Sequence, residues 1–125
     1  MPRTSVTPTD LNANAGTDID ATTIDSTLVT NGVAIADAGA SDRIVMRVTN
    51  THGSPHDVTI VAGDYPPAIG AGLGDVAVTV AATSGDTWIG PLESGRFLQS
   101  DGTIHVDLDT GHVGALDVIK LPRAV

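Results

Sequence analysis

The chain has 125 residues, 41% of them hydrophobic and 17% charged, with no Cys and a formal net charge of -9 at pH 7 from fifteen acidic and six basic side chains. That size fits one domain with one modest core, and without Cys the fold has neither disulfides nor thiolate metal sites to hold it. So acidic a chain lacks the positive field that phosphate backbones require, which excludes nucleic acid and anionic membrane as partners.

From the N-terminus, Met1-Pro2-Arg3-Thr4 runs into Thr, Asp and Asn with no apolar stretch of signal-peptide length. Nothing later approaches the roughly 18 apolar residues of a membrane span, so a soluble chain without an export signal is expected. Residues 1–22 contain only Val6, Leu11 and Ile19 as sizeable apolar side chains, with Pro8 among them. A stretch so poor in core-forming groups reads as an extended arm, with residues 23–125 as a single β domain.

The composition of that domain favours strands. Acid is nearly all Asp, fourteen against one Glu, and Thr, Val and Gly are plentiful while long helix formers are scarce. Thr and Val suit a pleated strand, and Asp and Gly suit turns. Strands are predicted near 23–30, 33–36, 86–89, 96–99 and 115–121, and by strict alternation at Ile44/Met46/Val48, Val58/Ile60, Val76/Val78/Val80 and Ile104/Val106/Leu108. Turn chemistry separates them at Asn31-Gly32, His52-Gly53-Ser54-Pro55, Thr83-Ser84-Gly85 and Asp101-Gly102. The fold class is therefore all-β, a β-sandwich or jelly-roll-like domain of about eight or nine short strands with an extended N-terminal arm. In the last strand Leu116 and Val118 keep one phase and Ile119 and Leu121 the other, which predicts a bulge or burial on both faces. Residues 63–75 form a Gly/Pro loop longer than a hairpin needs.

Several side-chain patterns invite a chemical reading, and each has a simpler one. His52 and His56 are four apart, but Gly53-Ser54-Pro55 makes a turn between them and no acidic or Cys cluster adjoins to complete four ligands, so a solvated hairpin tip is expected. His105, Asp107 and Asp109 share a strand face, yet Ser84, Ser94 and Ser100 lack a nucleophile setting, so no catalytic residue is assigned. Asp18-Ile19-Asp20 and Asp107-Leu108-Asp109 are fragments of calcium loops that never reach the full ligand pattern. Gly70-Ala71-Gly72-Leu73-Gly74 has no P-loop Lys and leads into a strand. No metal or other cofactor is expected. Of the three aromatics, Trp88 and Phe97 fall in strand-like segments and are expected in the core; Tyr65, beside Pro66-Pro67, is expected to be exposed.

Three segments carry a resemblance: Arg47-Val48-Thr49-Asn50-Thr51 with His56-Asp57-Val58-Thr59-Ile60; Ala62-Gly63-Asp64-Tyr65-Pro66-Pro67 with Gly72-Leu73-Gly74-Asp75; and the run from Trp88 to Gly102. Over roughly residues 40–122 the chain resembles small head proteins of tailed bacteriophages, particularly those of actinobacteria, that serve as capsid decoration or cement proteins. The resemblance implies a structural virion protein, not an enzyme, made in the host cytoplasm and seated on the outer capsid surface. It implies the major capsid protein as partner, and self-association as a homotrimer. Beside the resemblance, the β-prone but coreless composition of residues 1–22 makes Val6, Pro8, Leu11 and Ile19 the expected capsid-binding arm, and the otherwise unexplained apolar residues Tyr65, Pro66, Pro67, Ile69 and Leu73 the expected oligomer contact loop. The rival reading is a virion-surface module that binds carbohydrate or the host surface.

Overall fold

A computed structural model describes residues 3–11, 14–19, 21–36, 43–63, 74–92, 97–99 and 101–121. Among them, ten strands and one helix follow in the order β1 (Thr4–Val6), β2 (Thr9–Asp10), β3 (Thr22–Ile24), α1 (Ser26–Asn31), β4 (Val33–Ile35), β5 (Ile44–Asn50), β6 (His56–Ile60), β7 (Val76–Val80), β8 (Gly85–Ile89), β9 (Ile104–Leu108) and β10 (Gly114–Lys120). One sheet runs β1-β4-β9-β6-β7, and the other β2-β10-β5-β8 with β3 also on β10. The molecule is the all-β, sandwich-like domain that the alternation predicts.

Period-two side-chain placement fills the core from both sheets. Val33, Ile35, Val58, Ile60, Ile104 and Val106 from the first meet Ile44, Met46, Val48, Leu116 and Val118 from the second, and all are buried. Ile119, out of phase with Leu116 and Val118, is buried as well. Because β10 pairs with β5 without interruption from Leu116 to Lys120, there is no bulge; the second phase is buried at Ile119 alone, and Leu121, just past the strand, is exposed.

The N-terminal residues are threaded into the domain. β1 lies parallel to β4 at the edge of the first sheet, and β2 lies parallel to β10 in the second. Val6 is 8% exposed and belongs to the core. Arg3 reaches across Gly32 to β9, where its Nη1 donates to the Val106 carbonyl at 3.2 Å and to Asp107 at 2.6 Å. Gly32 has φ of 78°, and a Cβ there would collide with the Arg3 guanidinium, so glycine serves both the turn and the crossing.

Two predicted strands take other forms. Of the segment 23–30, only its start pairs as β3; from Ser26 the chain turns into α1. Asp25 caps that helix by accepting the Leu28 N–H at 2.9 Å, and Gly32 closes it with an N–H donated to the Leu28 carbonyl. Capping at both ends and burial of Leu28 outweigh the β-branched side chains. Within 96–99, the described residues make a single bridge, Leu98 to Ile104.

The registers bring three sheet-crossing connections to one end of the sandwich: β5–β6 at 51–55, β7–β8 at 81–84 and β9–β10 at 109–113.

Candidate functional site

The outer face of the β2-β10-β5-β8 sheet carries the first notable constellation. Arg47 on β5 is in register with Trp88 on β8 and with Asp117 on β10, so the three side chains form a row across the sheet. Trp88 is 58% exposed. The core position expected for it is therefore corrected: it shares the outward phase of Asp86, while Ile89 takes the inward one. Phe97 is buried as expected.

Arg47 fixes this row. Its Nε and Nη2 donate to the two Asp86 carboxylate oxygens at 2.8 and 2.6 Å, its Nη1 lies 3.8 Å from Asp117, and its guanidinium carbon is 5.7 Å from the Trp88 ring centroid. The bidentate hydrogen bonds hold the Asp86 carboxyl below the usual aspartate range and raise the Arg47 guanidinium further. An exposed indole beside an oriented cation and two carboxylates offers an apolar plate with a polar border. That chemistry suits an anchor residue in a protein contact, or the C–H face of a sugar ring.

The second constellation sits where the connecting loops meet. His56, at the start of β6, places Nδ1 3.0 Å from Asp109 and Nε2 3.2 Å from Nδ1 of His52. Asp109 also accepts the Asp57 N–H at 3.2 Å, and its carboxyl is held below the ordinary range, chiefly by the His56 hydrogen bond. The His112 ring stacks near His56 with centroids 5.8 Å apart. His112 is 2% exposed; its Nε2 donates to the Thr49 carbonyl at 3.0 Å, and its Nδ1 has no hydrogen-bond partner. His112 also lines a mainly apolar cleft of about 260 Å³ with Ile24, Val29, Thr110 and Val113, between α1 and the β9–β10 connection.

The residues expected to serve as a capsid arm are dispersed. Val6 is in the core, Pro8 joins β1 to β2, and Leu11 donates its N–H to the Lys120 carbonyl at 2.9 Å. Ile19 is half-buried between β2 and β3. Tyr65, Pro66, Pro67, Ile69 and Leu73 lie outside the described residues, as do Ser94 and Ser100. The shared strand face of His105, Asp107 and Asp109 does not form one cluster: Asp107 pairs with Arg3 and Asp109 with His56. Asp109 and His112 escaped sequence reasoning as partners of His56 because the contacts join residues 53 apart in the chain for Asp109 and more for His112. The phase shared by Trp88 and Asp86 was visible.

Compared with protein-family models, curated proteins and solved structures, the chain matches none.

Proposed function

We propose that this chain is a structural virion protein that binds the outer surface of an expanded tailed-phage capsid as a trimer and stabilises the shell. The phrases at 47–60, 62–75 and 88–102 support the reading through their resemblance to decoration proteins. The observation on the molecule that carries it is Trp88, held out on a sheet face beside the Arg47–Asp86 pair. Aromatic and Arg side chains of this kind supply most of the energy of protein contacts. A ligand that binds only the expanded lattice stabilises it by mass action, and a trimer combines weak contacts by avidity. The arm in this proposal narrows to the stretch between β2 and β3 that includes Ile19, since β1 and β2 are engaged by their own domain. The contact loop around Tyr65 and Leu73 remains part of the proposal.

A carbohydrate-binding virion module is the second reading, and the exposure of Trp88 favours it by supplying an aromatic plate. Co-sedimentation of the purified chain with expanded heads and unexpanded proheads, beside light scattering of the free protein, separates the two. Decoration requires binding to expanded heads at threefold-compatible stoichiometry, weakened at least about tenfold by Trp88→Ala with circular dichroism unchanged. A monomer that binds neither shell overturns decoration and directs the work to a glycan screen.

A further inference from the structure

The two residues that stand out on the face of β8 also own its free edge. The Leu121 N–H donates to the Arg43 carbonyl and the Thr51 N–H to the Val113 carbonyl, so odd-numbered residues along β5 turn their backbone groups to β10. The even-numbered ones, Met46, Val48 and Asn50, then face β8, where their partners in register are Ile89, Thr87 and Gly85. Asp86 and Trp88 occupy the alternate pairs, whose N–H and C=O groups point away from β5. β8 is the last strand on that side, so among the described residues no strand meets those groups.

Edge strands are commonly blunted by Lys, by Pro or by a bulge. β8 pairs without a bulge from Gly85 to Ile89 and contains neither Lys nor Pro. Its counterpart at the edge of the first sheet, β7, exposes only Ala77 and Thr79, and the Thr79 hydroxyl is donated to Asp57 at 2.7 Å, so that edge offers no anchor. On β8 the backbone groups and the anchoring side chains coincide. An added strand bonded to Asp86 and Trp88 sets two of its own side chains, two residues apart, directly beside the carboxylate and the indole.

Charge says what those side chains are. In the row across the sheet Asp86 and Asp117 outnumber Arg47, on a chain of net charge -9. A cation is therefore favoured beside Asp86, and an apolar or aromatic side chain beside Trp88. A second copy of this chain brings the same acidic edge and the same net charge, which disfavours it as occupant.

We infer that β8 is a strand-addition site for an extended basic segment of another protein, with a Lys or Arg facing Asp86 and a large apolar or aromatic side chain against Trp88. The inference rests on the reading of Trp88 as an anchor in a protein contact and specifies how that contact is made: main-chain bonds to the edge supply affinity, and the two side-chain positions supply specificity.

The test pairs the full chain with the peptide acetyl-Thr-Lys-Val-Tyr-Val-Lys-Thr-amide, which presents Lys and Tyr on one face in either chain direction. By NMR it should bind with a Kd of about 1 mM or below, slowing hydrogen exchange of the Asp86 and Trp88 amides at least about fivefold and leaving the β7 amides unchanged. Replacing both Lys by Glu should weaken binding at least about tenfold. No binding up to about 10 mM, or a shifted indole with both amides exchanging as before, overturns strand addition. Protection that grows with the concentration of the chain alone gives the edge to a second copy and overturns the basic partner. Expanded heads separate this inference from decoration itself. Asp86→Ala and Asp86→Pro remove the same carboxylate, but Pro also deletes the outward N–H and blocks an added strand while sparing the bonds to β5. With circular dichroism unchanged in both, Asp86→Pro should bind heads at least about tenfold more weakly than Asp86→Ala. Equal binding overturns strand addition and leaves decoration standing; amides protected by the peptide in a chain that binds no heads leave the edge site standing and overturn decoration.

Discussion

Arg47 contacts a carboxylate pair and an indole at once, and the geometry fixes the sign of its pH dependence. Both of its short hydrogen bonds go to Asp86, which favours the ionised carboxylate and lowers its pKa in the folded chain below the ordinary 3.8. Between the folded and unfolded values the unfolded chain binds more protons, so the stability from this pair is complete above the ordinary value and is lost as pH falls through the folded one. Asp86→Asn should lower the urea midpoint slightly at pH 7, as befits an exposed pair, and the difference should vanish near about pH 2. A difference of equal size at both pH values would assign the effect to packing. The position of Trp88 on this face was legible from the phase it shares with Asp86. Its place in a strand-like segment argued for the core instead, although strand membership alone does not say which side of a sheet a side chain occupies.

The N-terminal strap shows why composition misjudges edge strands. β1 and β2 contain few apolar residues, yet an edge strand needs only backbone partners and one inward side chain, and Val6 supplies it at 8% exposure. The sequence displayed the alternation of the central strands clearly, because those rows are continuous. It concealed the strap, whose partners β4 and β10 begin far along the chain, and α1, whose stability comes from Asp25, Gly32 and a buried Leu28 against β-prone neighbours. Val6→Ala should therefore cost about 2 kcal/mol in urea denaturation. Deleting residues 2–10 should lower the midpoint further and promote association through the uncovered edges of β4 and β10. A deleted chain with an unchanged midpoint would release the strap from this structural role and return it to the proposed capsid arm.

At the scale of the whole molecule, three arginines among the described residues serve the fold before they serve the surface. Arg3 engages Asp107 and the Val106 carbonyl, Arg43 donates to the Leu121 carbonyl, and Arg47 is held by Asp86 and Asp117. With fifteen acidic against six basic side chains, the net charge of -9 gives the chain an acidic field. Copies of this chain repel one another, whereas on the proposed decoration role the shell must offer positive charge or apolar surface. Salt acts oppositely on the two events, since the screening length falls from about 10 Å at 0.1 M to about 3 Å at 1 M. On the proposed decoration role, raising sodium chloride should favour the proposed trimer in sedimentation velocity and weaken co-sedimentation with expanded heads. If both strengthened with salt, the shell contact would be governed by apolar burial around Trp88, and Trp88→Ala would then remove binding at every salt concentration.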